Sequence, residues 1–252
     1  MPPYRKYVRK WFLLNAEVGP APFSPADVAN LELWLDGSDS STITLDGSNN
    51  VSQWDDKSGN SGRDAVQATV ARRPPLGTIN GVQALDFDGI DDFLTVTHGS
   101  WADLPSYSIY GVVSMDDTSL AFRAWIGKEA SAATRKILIG NDGSTGLFYN
   151  SLLDTINVGK ASTYANNVPV LISAHKDGNT TARAYVNGSA SSADTTVTTG
   201  TNSSDIGIGA GAASGGYNWP GQVGEILIYS DHHSGATRGL IEAYLKAKWG
   251  TP

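Results

Sequence analysis

Turn signals recur along this chain about every 8–12 residues, without a fixed repeat, between short runs of alternating apolar and polar side chains. Alternation at period two is the pattern of a strand with one buried face, so the chain is confined to many short strands. In "LELWLD" (31–36) Leu31, Leu33 and Leu35 share a face. Tyr107, Ile109, Val113 and Met115 group in "SYSIYGVVSM" (106–115), and Val168, Val170, Ile172 and Ala174 in "VPVLISAH" (168–175). "KDGNT" (176–180) carries turn chemistry and joins the latter to "TARAYVNG" (181–188), where Ala182, Ala184 and Val186 align, which predicts a hairpin. "VQALDFDG" (82–89), "DFLTVTH" (92–98) and "QVGEILIYS" (222–230) read as further strands. Helical spacing is confident only over 234–249, where Leu240, Ile241, Tyr244, Leu245 and Lys248 follow one another, Lys246 and Lys248 suit the C-terminal dipole, and Gly250 stops the run. A capping serine before proline predicts a short helical turn at Ser24–Pro25. The expected core contains Leu33, Leu35, Phe87, Val113, Val170, Ile172, Ile226 and Ile228.

With 252 residues the chain suits one large β domain, and 28 glycines fit many turns. It has no cysteine, which excludes disulfides and thiolate metal sites. A net charge of −7 argues against a nucleic-acid partner for the body. The charge is uneven: Arg5, Lys6, Arg9 and Lys10 precede the first acid, Glu17. Only Trp11–Leu14 is apolar after that basic start, too short for a secretory signal, so the segment reads as a retained arm. Residues 1–24 form this arm and a Pro/Gly-rich linker, and residues 25–252 the β domain. Tyr4, Tyr7, Val8 and Trp11 have helical spacing between the cations, which points to docking on a partner. An acidic protein surface is favoured over a membrane, because so short a segment without a lipid anchor binds lipid weakly. The segments 189–204 and 209–218, low in complexity, read as solvent-facing strands and loops.

The ordered phrases "LWLDGSD", "VSQWDDKSGN…DAVQ", "RRPPL", "NGVQALDFDGIDDFL", "YVNG" and "GEILIYS…IEAYLKAKWG" resemble the LamG-like members of the concanavalin A-like lectin/glucanase superfamily, over roughly residues 25–250. The resemblance implies an all-β jelly-roll sandwich of two antiparallel sheets, with a short C-terminal helix and, in this chain, the N-terminal arm. It also implies domains of the kind found in bacterial surface proteins and in bacteriophage tail and capsid proteins. Within it, Trp54 ends an early strand as a core plug and "DDKSGNSG" (55–62) is a structural loop, with calcium as the alternative.

Glucanases of that superfamily carry Glu-x-Asp-x-x-Glu on one strand, so that alternate carboxyls share a face. The five glutamates, Glu17, Glu32, Glu129, Glu225 and Glu242, do not begin that pattern, so no catalytic residue is expected and the chain reads as non-enzymatic. A glycan-cleaving enzyme with an unrecognised site, or a bacterial surface domain, is the alternative. Asp86, Asp88, Asp91 and Asp92 supply hard oxygen ligands for a possible Ca²⁺, with no cofactor required. Aromatic and amide groups on loops suit sugar rings: Tyr217, Asn218 and Trp219, then Asp142, Tyr149 and Asn150, with core packing as the competing role of Trp219. His232 and His233 are adjacent, so their side chains point apart and do not suggest zinc. The expectation is thus a virion surface protein, a capsid decoration or tail adhesin, presenting a glycan-binding domain and docked through its arm.

Overall fold

In the computed structural model, residues 23–103, 105–129, 137–141, 143, 147–151, 165–178, 180–190 and 202–252 are described, those of 147–151 by backbone alone. The whole docking set of the arm (Tyr4, Arg5, Lys6, Tyr7, Val8, Arg9, Lys10 and Trp11) lies outside them, as does Asp142.

The strands follow in chain order. They begin with β1 (Leu31–Asp36), β2 (Ile43–Leu45), β3 (Val51–Trp54), β4 (Ala65–Val66), β5 (Leu76–Ile79), β6 (Val82–Asp88), β7 (Leu94–Val96) and β8 (Tyr107–Val113). They continue with β9 (Arg123–Lys128), β10 (Ile137–Asn141), β11 (Leu147–Ser151), β12 (Val170–Asp177), β13 (Thr181–Val186), β14 (Ser189–Ala190), β15 (Ile206–Ile208) and β16 (Pro220–Tyr229). One helix, α1 (Gly235–Trp249), closes the chain. The strands form two sheets, in the orders β14-β13-β12-β8-β16-β6-β5, with β1 also on β16, and β11-β10-β9-β15-β7-β4-β3-β2. Every strand pairing is antiparallel, and the two-sheet sandwich expected from the sequence is present. The hairpin at 176–180 forms, with β12 pairing β13 from Ile172↔Val186 to Asp177↔Thr181.

The main core lies between the sheets and holds Leu33, Leu35, Phe87, Val113, Val170, Ile172, Ile226 and Ile228. Trp54, Trp125 and Trp219 are fully buried within it. A second apolar layer on the first sheet contains Tyr110, Val112, Leu171, Leu227 and Tyr229, with Ile241, Leu245 and Trp249 of α1. The central strands β8 and β16 are therefore covered on both faces, which explains why they read as nearly continuous apolar runs.

Two details depart from the alternation. Pairing of β1 with β16 shifts register between Leu31 and Leu33, so Leu31 joins the α1-side layer while Leu33 and Leu35 face the main core. On α1, Ile241, Leu245 and Trp249 recur every fourth residue against the sheet, and Leu240 is turned out, 57 % exposed. Ser234 caps the start of α1, accepting from the Thr237 N–H, and Gly250 ends it in the left-handed region at φ 65°.

The loop after Trp54 is structural. Asp56 Oδ1 accepts from the N–H groups of Trp34 (2.8 Å) and Ser58 (2.9 Å), and Asn60 Nδ2 donates to the Leu31 carbonyl at 3.0 Å. Lys57 pairs with Asp36 and Asp39, each at 2.8 Å. These bonds tie the loop along β1. The segment 209–212 is also not a solvent-facing loop: Ala210 is fully buried, and a Cβ at Gly209 would collide with the Phe87 ring.

Candidate functional site

One rim of the sandwich gathers three segments that are remote in sequence. The first, Asp88–Phe93, carries the chain from β6 in one sheet to β7 in the other. Asp88 Oδ1 accepts from the N–H groups of Ile90 (2.8 Å), Asp91 (3.1 Å) and Asp92 (3.3 Å), folding the loop around its own carboxylate. Oxygen atoms of Asp88, Asp91 and Asp92 come within 4.8 Å of one another. Asp92 is buried, and burial, reinforced by the charges of Asp88, Asp91 and Asp86, pushes its carboxyl up to about 6. Asp86 does not join this cluster: its carboxylate accepts from Gln222 Nε2 at 2.7 Å, and it alternates with Asp88 along β6.

The second segment is the loop between β15 and β16. Asn218 is buried and spent on structure, its Oδ1 accepting from the Gly216 N–H at 2.8 Å and its Nδ2 donating to the Ile90 carbonyl. That second bond joins the loop to the acidic segment. Trp219 cannot meet a sugar: it is fully buried, with Nε1 donating to the Ser114 carbonyl at 3.1 Å. Core packing wins there because the indole has no polar group other than the N–H that Ser114 satisfies. Tyr217 is different. It is 38 % exposed, stands at φ 53°, and rests on Gly211, where an added Cβ would come 2.8 Å from its ring.

The third segment, missed in the sequence, ends in Phe122 at the start of β9. Its side chain is 55 % exposed and its φ is 52°. The Ala124 N–H donates to the Tyr217 carbonyl at 2.7 Å, which places Phe122 two residues from the junction with the Tyr217 loop. Among the described non-glycine residues with positive φ, five are asparagines and only Phe122 and Tyr217 are aromatic. Asparagine tolerates this conformation, whereas bulky side chains there are outliers held by their surroundings. Ile90, 76 % exposed, adds an apolar side chain within the acidic loop, and its carbonyl accepts from Asn218 beside Tyr217. Such side chains can stack a flat apolar face while the acids of the linked loop accept hydrogen bonds from hydroxyls or ligate a hard cation.

Other expectations fall elsewhere. Tyr149 and Asn150 lie in β11, where only the backbone is described, paired with Ile139 and Leu138. Glu225 is fully buried beneath α1, accepting from Trp34 Nε1 (2.8 Å), Trp249 Nε1 (2.7 Å), Tyr244 OH (3.1 Å) and Lys248 Nζ (2.7 Å). It anchors the helix.

No protein-family model matches the sequence, and no curated protein matches it. Solved structures match the fold. Trypanosoma rangeli sialidase in complex with sialic acid superposes with a TM-score of 0.63 at 15 % identity, over 91 % of this chain and 36 % of the sialidase. Domain 4 of AbnA, a GH43 extracellular arabinanase from Geobacillus stearothermophilus, in complex with arabinotriose, gives 0.61 at 16 % identity, over 85 % and 98 %. A structure of botulinum neurotoxin type C, whose cell entry is described as dependent upon interaction with two ganglioside molecules, gives 0.57 at 14 % identity, over 90 % and 55 %. The chain thus spans about a third of the sialidase it resembles. The expectation of a non-enzymatic chain is overturned by this comparison: sandwiches of this shape occur in a sialidase and a GH43 arabinanase. Lack of the glucanase carboxylate pattern therefore does not set glycan cleavage aside. The virion setting has no counterpart among these neighbours. At such low identity the likeness establishes the fold alone, a β-sandwich also found in the sialidase, the arabinanase domain and the neurotoxin.

Proposed function

We propose that this chain recognises glycans at the rim formed by Phe122, Tyr217, Ile90 and the carboxylates of Asp88 and Asp91. The observation that carries this reading is the pair of exposed aromatics, both in left-handed backbone, on segments that the Ala124–Tyr217 and Asn218–Ile90 hydrogen bonds link to the acidic loop. Sugar C–H faces stack on such rings, and sugar hydroxyls donate to carboxylates. A Ca²⁺ held by Asp88, Asp91 and Asp92 would add direct ligation of vicinal hydroxyls, and those oxygens are close enough to share one ion. Support also comes from the fold neighbours, whose descriptions name sialic acid, arabinotriose and gangliosides. Calorimetry against a panel of oligosaccharides tests the reading, with and without EDTA. Tyr217→Ala and Phe122→Ala should each weaken binding about tenfold, the equivalent of ~1.4 kcal/mol, and leave the folded spectrum intact. Full affinity in the double variant would refute it.

One observation favours cleavage at the same rim as a second reading. Asp92, raised to about 6, keeps its proton to higher pH than an ordinary carboxyl, and oxygens of Asp88 and Asp91 lie within 4.8 Å. Retaining glycosidases use a carboxylic acid and a carboxylate about 5–5.5 Å apart. Release of reducing ends from the same panel, lost in Asp92→Asn, would establish it. A Ca²⁺ at the site would instead keep Asp92 ionised, so metal dependence separates the two.

The charge contrast between the basic arm and an otherwise acidic chain supports docking of the arm on an acidic protein surface, and the placement of that surface on a virion is proposed by analogy with the family resemblance alone. Deleting residues 1–16 should leave the sandwich folded and abolish incorporation into particles. Retained incorporation would assign docking to the sandwich.

A further inference from the structure

Strand β9 ends on a lysine whose side chain is 0 % exposed. Lysine is rarely buried to this degree unless it is paired. Lys128 lies opposite Ile137 of β10, and Gly127 beside it lies opposite Gly207 of β15. Its Nζ donates to Asp103 Oδ1 at 3.0 Å, to Asn202 Oδ1 at 2.9 Å and to the Asn202 backbone carbonyl. Asp103 follows the turn at Ser100–Ala102, and Asn202 lies on the segment that leads into β15. Three parts of the chain therefore meet at one nitrogen.

The contact that goes beyond an ion pair is the one to the Asn202 carboxamide. Because a C=O bond is about 1.23 Å long, Nζ stands no more than about 4.1 Å from Cγ of Asn202. Oδ1 also accepts from the Ser204 N–H at 2.9 Å. Two donors thus meet the oxygen on which negative charge develops when an amide carbon is attacked. Nδ2 of the same amide donates to the Lys128 carbonyl at 3.3 Å, which fixes the orientation of the group. Desolvation lowers the Lys128 amine below its ordinary value and so favours the neutral form, which is the nucleophile. Asp103 reaches the same nitrogen and can carry a proton, while its Oδ1 accepts from the Asn202 N–H at 3.4 Å and its Oδ2 lies 3.7 Å from His98 Nε2.

We propose that Lys128 and Asn202 join spontaneously in an intramolecular isopeptide bond, with Asp103 as the proton carrier. The Lys128 ammonium passes one proton to Asp103, and the freed lone pair of Nζ forms a bond to Cγ of Asn202. Asp103 gives that proton to Nδ2 and takes a second from Nζ. The Cγ–Nδ2 bond then breaks as the carbonyl re-forms. The products are a secondary amide and ammonia, which leaves as ammonium with the proton held on Asp103. The step needs no oxidant and no cofactor. The bond ties the end of β9 to the approach of β15 across 74 positions of chain. Such a closure restricts the unfolded chain as a disulfide does, in a sequence that has no cysteine to make one.

Intact-mass spectrometry of the full chain, folded and then denatured for measurement, tests the proposal. The expected mass is lower than that of the sequence by one ammonia. Succinimide formation at Asn80–Gly81 or Asn187–Gly188 would remove the same mass. Proteolysis and tandem spectrometry must therefore recover a branched peptide that joins Lys128 to Asn202. Lys128→Arg keeps the charge without the reactive amine, and Asn202→Ala removes the carbon attacked, so neither should yield that peptide. Asp103→Asn should slow its appearance by about a hundredfold or more, the usual worth of a positioned proton carrier. The result for the parent chain does not depend on any variant folding. A folded parent chain that keeps its full sequence mass after prolonged incubation would show Lys128 to be a buried ion pair only. Loss of ammonia confined to the Asn–Gly pairs would show the same, and either result overturns the proposal.

Discussion

Neighbouring residues with similar chemistry take opposite roles here. Trp219 fills the core and Tyr217, two positions earlier, stands half-exposed in a backbone conformation that its side chain disfavours. A left-handed φ on a bulky residue costs on the order of 1–3 kcal/mol, and the surrounding bonds to Ala124, Gly216 and Ile90 hold the Tyr217 loop in place. Phe122 repeats the arrangement with a more exposed ring. If that strain is kept for ligand contact, removing it should separate stability from binding. Phe122→Gly should leave the thermal midpoint unchanged or raise it, while glycan affinity falls about as far as in Phe122→Ala. Thermal melts paired with calorimetry check this, and a drop of several degrees would show that the ring is needed for packing.

Helix α1 is held to the first sheet by both apolar contact and a buried polar anchor. Glu225 receives four hydrogen bonds, from Trp34, Tyr244, Lys248 and Trp249, and Lys248 also reaches Asp36 at 2.6 Å. Removing one partner of such a network strands the others, so Glu225→Ala should destabilise by about 3–5 kcal/mol, measured by urea unfolding. At the other end of α1, His175 and His233 lie under its first turns, with Nδ1 atoms on Ser108 and Tyr110 and both Nε2 atoms without partners among the described residues. Burial lowers His233 to about 4 and His175 well below 6.5, with Tyr185, Tyr229, His232, Asp231, Arg238 and Glu242 around them. A depressed histidine value means that the fold favours the neutral ring. The stability these rings contribute is complete above about 6.5 and is lost as pH falls toward about 4. Unfolding midpoints followed across that window should decline in the parent chain and decline less in His233→Phe.

At the scale of the molecule, the sandwich depends on crossings that short-range pattern does not announce. The segment "DGIDD" reads as a turn between two strands, yet β6 and β7 belong to different sheets and the turn carries the chain across the core. The strands that meet at the centre, β8, β12 and β16, come from distant parts of the chain and bury Ile226 and Ile228 against the second sheet. Ile226→Ala should therefore cost roughly 2–5 kcal/mol, as for other buried aliphatics, by chemical denaturation. Far-UV circular dichroism should be dominated by strand, with the helical signal coming mainly from α1.

Period-two alternation and turn chemistry predicted the many-stranded class, the hairpin at 176–180 and the eight core residues named, and helical spacing with a glycine stop predicted the terminal helix, because each depends on neighbours within a few positions. The proximity of Asp88, Asp91 and Asp92 was legible for the same reason: they span five positions around one turn. What sequence could not supply was which loops meet. Asn218 joins the acidic turn through Ile90, Phe122 reaches the Tyr217 loop through Ala124, and Asp86 is drawn off to Gln222. The outward turn of Leu240 and the register shift that moves Leu31 were likewise decided by the sheet and helix they face. Sequence determined which faces would be apolar, since that follows from local period. Tertiary structure decided which polar and aromatic groups remained exposed together, since that depends on the packing of segments far apart along the chain.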